Sequence, residues 1–197
     1  MKPHLFLLCF VGMTLIGGGA LPAQERAARF DAQEARATLS KEVVRPKFVR
    51  KSAAPDPVTK RIYTKSAVVI ARASGAQEER PYVPVPLQFK VNTDQLLDVT
   101  STENVIKVAQ LLKELNREKE STFAIEGHAS AEGDAQRNEE LSNLRALRIQ
   151  SLLREHGVEA GVIARTEGFG SRHAQHPAAA SDAQRQEDRR VLVVKER

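Results

Sequence analysis

A change of hydrophobic period within one stretch constrains the fold of this chain more than any other feature. Val83, Val85, Leu87, Phe89 and Val91 alternate strictly, the two-residue period of a half-buried strand. Thr100 and Glu103 then form a capping box, and Val105, Val108, Ala109, Leu112 and Leu115 recur at helical spacing up to Asn116. Thr122 to Gly127 reads as a short strand ending in the polar loop GHASAEG. Asp134 caps a long helix to about His156, stopped by Gly157, with Ser142, Ala146, Ile149 and Leu153 as its inner stripe. Val162 to Glu167 is a third strand, and RVLVV at Arg190 to Val194 is a last one after a Pro/Ala/Asp-rich loop. The order strand, helix, strand, helix, strand, loop, strand argues for an α/β chain of the α+β layer type, with helices packed on one sheet. The unit spans residues 81–197, long enough for one core.

Composition matters for what lies before that unit. Of 197 residues, 41% are hydrophobic and 5% aromatic, and the net charge is +5. Collagenous, multi-span membrane and disulfide-scaffold classes are excluded. Residues 24–80 hold thirteen Lys/Arg against seven Asp/Glu, net +6, whereas residues 81–197 hold sixteen against eighteen, net −2. The first of these segments carries Pro46, Pro55 and Pro57, the cluster Arg45, Lys47, Arg50 and Lys51, and no sustained apolar period. It reads as a mostly disordered basic linker, with a short helix at Asp31 to Val44 and a strand-like run at Ser66 to Ala73 that can dock on the domain. Its charge suits an anionic membrane or an envelope protein.

Residues 1–23 carry Lys2, an apolar run from Leu5 to Ile16 and the small residues up to Ala23, the pattern of a secretory signal peptide. The run is shorter than the roughly 20 residues that span a bilayer. Ala23 is the preferred cleavage site and Ala20 the second. The single cysteine, Cys9, falls within this run, so neither a disulfide nor lipid anchoring is expected.

Five motifs in order then resemble the OmpA-like C-terminal domain, the peptidoglycan-associating module shared with the Pal lipoproteins and MotB, over roughly Pro86 to Val194. They are Phe89, Val91, Asn92, Thr93 and Leu96; the loop Gly127 to Gly133; Asn138 with Leu141, Ser142, Arg145 and Ala146; Gly168 and Gly170; and Asp188, Arg189, Arg190 and Val191. The resemblance implies a βαβαβ(β) two-layer sandwich with helices on a mixed sheet, and a non-catalytic periplasmic protein associated with the cell wall or outer membrane. It implies noncovalent binding of the peptidoglycan peptide stem by Asn92, His128, Ser130, Glu132, Asn138, Leu141, Arg145 and Arg189, with no cofactor and no nucleic acid. In the family a loop Asp takes the ammonium of diaminopimelate and a helix Arg takes its carboxylate. Arg145 fits the second role, because a planar guanidinium grips a carboxylate by two bonds.

Ser130 stands where that Asp is expected, and a neutral hydroxyl does not replace a carboxylate opposite an ammonium. Either Glu132 or Asp134 supplies the charge, or the ligand differs. The alternative is a domain with lost or altered stem binding that acts as a protein–protein adaptor in an envelope complex. His128, Ser130 and Asp134 invite comparison with a nucleophile triad, but no Gly-x-Ser-x-Gly elbow accompanies them, and His128 is expected to tie the loop to the sheet. His173 and His176 have a loose H-x-x-H spacing in a solvated loop, and no metal is assigned to them. Of Arg189 and Arg190, one is expected to face the site and the other solvent.

Overall fold

The computed structural model describes residues 28–45 and 56–197. The elements run α1 (Ala32–Leu39), β1 (Val58–Tyr63), β2 (Ala67–Arg72), β3 (Gln77–Val85), α2 (Val99–Lys119), β4 (Phe123–Gly127), α3 (Ala135–Glu155), β5 (Ile163–Gly168), α4 (Asp182–Asp188) and β6 (Val191–Lys195). One mixed sheet takes the order β1-β2-β3-β6-β4-β5. Only β4 and β5 pair in parallel, joined by α3 as their crossover; every other neighbour pair is antiparallel. Helices α2 and α3 cover one face, as expected, and α1 packs beside them.

The main core lies between that face and the helices. Val83 and Val85 of β3, Phe123 and Ile125 of β4, and Val191 and Val193 of β6 meet Val105, Leu112 and Leu115 of α2 and Ala146, Ile149 and Leu153 of α3. The other residues of β6, Leu192 and Val194, join Val68, Ile70, Tyr82 and Ala124 in a second cluster on the far face. A strand buried on both sides reads as a continuous apolar run, which is why RVLVV lacks alternation.

That second cluster corrects the expectation of a mostly disordered linker over residues 24–80. Residues 56–80 hold β1, β2 and the first four residues of β3, and the ladder crosses the boundary expected at residue 81 without a break. Ahead of them, α1 places Phe30, Ala35 and Leu39 in the main core, and buried Asn104 of α2 accepts from Phe30 N–H at 2.8 Å and donates to the carbonyls of Ala28 and Pro86. The basic residues are pairing groups here. The sheet curls until Arg61 and Tyr63 of edge strand β1 reach Glu126 of β4, and Arg165 of β5 donates to the same carboxylate at 2.8 Å. Arg80 pairs with Glu196 and with Glu78 at 3.0 Å, and Arg45 with Glu78 at 3.2 Å. Three cations of the +6 segment, Arg45, Arg61 and Arg80, are thus paired within the molecule. The signal segment at 1–23, and Lys47, Arg50 and Lys51, lie outside the described residues.

Smaller corrections concern boundaries. The strand expected over Val83 to Val91 ends at Val85, since Pro84 and Pro86 donate no N–H to extend the ladder, and Val91 is exposed. Helix α2 starts two residues earlier than the Thr100 box implies, capped by Asp98, whose carboxylate accepts from Ser101 N–H at 2.7 Å. The supposed loop before β6 contains α4, with a capping box between Ser181 and Gln184.

Candidate functional site

The long helix sits unusually close to the sheet. Gly127 and Gly168 are register partners on β4 and β5. A Cβ on Gly127 would stand 2.1 Å from the Ser142 carbonyl oxygen, and one on Gly168 would stand 2.2 Å from the Asn143 nitrogen. Backbone thus rests on backbone, and Ser142 completes the seat by donating to the Glu139 carbonyl and accepting from Gly170 N–H at 2.9 Å. This contact sets the height of everything α3 carries.

At the N-terminal end of α3, Asp134 caps the helix by accepting from Arg137 N–H at 2.8 Å. Asn138, one turn on, donates to the carbonyls of Ser130 and Glu132 and so clamps the polar loop against the helix. Opposite stands a short hairpin in which Phe89 bridges Leu96, turned by Asn92 in the left-handed region at φ 57°, a conformation Asn tolerates better than most residues. Helix α4 closes the third side.

These parts enclose a cavity of about 500 Å³. Seven residues expected from the sequence line it: Asn92, Ser130, Glu132, Asn138, Leu141, Arg145 and Arg189, together with Phe89, Asp134, Arg137, Asp182 and Gln186. Asp182 and Gln186 come from the unforeseen α4; the Ser181–Gln184 pair was the available signal.

Arg145 is the most constrained group. It is 6% exposed, its Nε–H donates to the Thr93 carbonyl at 3.0 Å, and its guanidinium carbon lies 4.8 Å from the Phe89 ring centre. Among the described residues no carboxylate lies within ion-pair distance of it. Burial, then the neighbouring Arg189 charge, partly offset by Asp94, lower its pKa to about 10, so it stays cationic at neutral pH. Arg189 donates its Nε–H to Gln186 at 3.0 Å and likewise has no carboxylate partner among the described residues.

The eighth expected residue, His128, is not part of the cavity. Its side chain is buried, stacked on Phe169 and edge-on to Tyr63, and neither ring nitrogen has a hydrogen-bond partner among the described residues. Burial, and then the charges of Arg190, His173 and Arg61, push its pKa well below the ordinary value, so the ring is neutral. The His128 backbone N–H donates to the Arg190 carbonyl at 2.9 Å, the expected tie between loop and sheet, while its ring contributes by packing. His173 joins the same aromatic group, while His176 turns away to Glu187 at 2.9 Å. Arg190, expected toward solvent if Arg189 faces the site, is instead half-buried over Tyr63, donating to the His173 carbonyl at 3.2 Å and pairing with Asp188 at 3.4 Å. Asp188 is fully buried and accepts from the N–H groups of Gln175 and His176, which orders the preceding loop.

Comparison with curated proteins finds no match. Among solved structures, the periplasmic domain of Helicobacter pylori MotB is similar at a TM-score of 0.50 and 16% identity, covering 70% of this chain and 87% of that one. The C-terminal domain of the same protein aligns at 0.50 and 18% identity, covering 58% and 84%. The peptidoglycan-associated lipoprotein of Burkholderia pseudomallei aligns at 0.48 and 19%, covering 56% and 88%. The first two show a shared fold. The OmpA family model matches residues 88–190, more than half of the sequence and the whole of the cavity's lining, and the chain belongs to the OmpA family.

Proposed function

We propose that this chain is an exported, non-catalytic protein that docks noncovalently on the peptide stem of peptidoglycan, with a diaminopimelate carboxylate held by Arg145, and so links the wall to the outer membrane or an envelope complex. The observation that carries this reading is the Arg145 guanidinium, 6% exposed and without a carboxylate partner among the described residues. A buried charge without a counter-charge is costly, and an arriving carboxylate relieves that cost by two charge-assisted hydrogen bonds. Thr93 and Phe89 hold the guanidinium in place, so little side-chain entropy is lost on binding. Membership of the OmpA family supports the same ligand class.

Truncating one partner of a buried charge pair costs about 2–5 kcal/mol, so Arg145→Ala is expected to weaken retention on purified wall sacculi by about 100-fold. Retention equal to wild type contradicts the assignment. The adaptor reading draws on Ser130, which is neutral where the family carries an acid. It predicts no wall binding and co-purification of an envelope protein through residues 81–197.

A further inference from the structure

We infer that the cavity selects diaminopimelate whose side-chain amine is already acylated, as in a cross-linked stem peptide, over the free zwitterion. This rests on the stem-binding reading above and names the form of the ligand.

The acids that line the cavity are engaged. Glu132 pairs with Arg185 at 3.2 Å, Asp182 pairs with the same guanidinium at 2.7 Å, and Asp134 spends an oxygen on the α3 cap. The cations are free: among the described residues Arg137, Arg145 and Arg189 have no carboxylate within ion-pair distance, although all three line the cavity. Neither Glu132 nor Asp134 is therefore poised to replace the missing loop acid.

An ammonium entering beside Ser130 would leave water to face a hydroxyl, in a cavity whose three acids are engaged and whose three guanidiniums have no carboxylate of their own among the described residues. It would pay desolvation and like-charge repulsion together. Acylation removes that charge, making the ligand more anionic by one unit, and leaves an amide with one N–H and one carbonyl. A serine hydroxyl can accept from the first or donate to the second, whereas a carboxylate can only accept. The Ser130 hydroxyl has no hydrogen-bond partner among the described residues and is free for this role.

The acyl branch also has somewhere to go. A second groove of about 470 Å³ lies between α4 and the end of β3, lined by Pro84, Pro86, Leu87 and Ala183. It shares Gln186 and Arg189 with the first cavity, so these two side chains border both spaces and an acyl branch that passes them reaches a groove of mixed apolar and polar lining.

The test is calorimetric titration of the full chain with two synthetic stem peptides, identical except that the diaminopimelate side-chain amine is free in one and N-acetylated in the other. Wild type is expected to bind the acetylated peptide about tenfold more tightly, and Ser130→Asp to reverse the preference by a similar factor. Wild type binding the free form as tightly or more tightly overturns the inference and leaves stem binding standing. Wild type binding neither peptide overturns the stem-binding reading itself, and the inference with it.

Discussion

Glu126→Ala is expected to lower the free energy of unfolding by about 3–5 kcal/mol. Glu126 is fully buried in β4, and its two oxygens accept from Arg61, from Arg165 at 2.8 Å and from the Tyr63 hydroxyl at 2.9 Å. Removing the carboxylate strands Arg61, whose side chain is only 11% exposed, because Glu126 is its sole ion-pair partner among the described residues. Arg165 loses less, since Glu167 and Glu196 also hold it. Burial alone would lower the pKa of Arg165, but Glu126 and Glu196 outweigh burial and raise it. Urea unfolding followed by tyrosine fluorescence measures the loss directly: the chain has two tyrosines and no tryptophan, and Tyr63 and Tyr82 both border this cluster. A loss under about 1 kcal/mol, the scale of a surface pair, would mean that β1 does not close on β4.

Gly168→Ala is expected to cost about 3 kcal/mol, the upper range for overpacking, and to lower the melting temperature by about 10 °C. The added methyl would stand 2.2 Å from the Asn143 nitrogen, 2.5 Å from its Cα and 2.7 Å from Ser142 Oγ. The nearest atoms are helix backbone, so no rotamer change relieves the clash, and α3 has to lift off β5. Because α3 also carries Asn138 and Arg145, wall retention should fall in the same variant. Circular dichroism melting checks the first effect and sacculus retention the second. An unchanged melting temperature would show that the helix does not rest on this strand.

The periodic parts of the domain were legible because their signals are local. Asp134, Gly157 and the stripe Ser142, Ala146, Ile149 and Leu153 mark α3 within twenty-odd residues of sequence, and the helix spans Ala135–Glu155. Strand β2 was legible as the apolar run at Ser66 to Ala73, but β1 and the first half of β3 were hidden by long cationic side chains whose partners are distant in the chain. Arg61 meets Glu126 across 65 residues, and Arg80 meets Glu196 across 116. Without those partners in view, VTKRIY and the QEER that opens β3 look solvated, and the charge excess of residues 24–80 looks like a tether for an outside anion. At the site, motif spacing located the loop and the helix but not the direction of each side chain. Within the loop, His128 packs into the aromatic group while Ala129 and Ser130 line the cavity. The fit of Arg145 to its role came from its place on α3; its lack of a carboxylate partner could be seen only once the hairpin at Asn92, the loop and α4 were brought around it.

Amide shift mapping by NMR of the full chain, titrated with a diaminopimelate-containing stem peptide, tests the central claim most directly. The largest changes are expected at Asn92, Thr93, Ser130, Asn138, Leu141, Arg145 and Arg189, and small ones in the β1–β2 hairpin. Changes concentrated on Lys60, Arg61 and Arg72, with Arg145 and its neighbours unmoved, would contradict it.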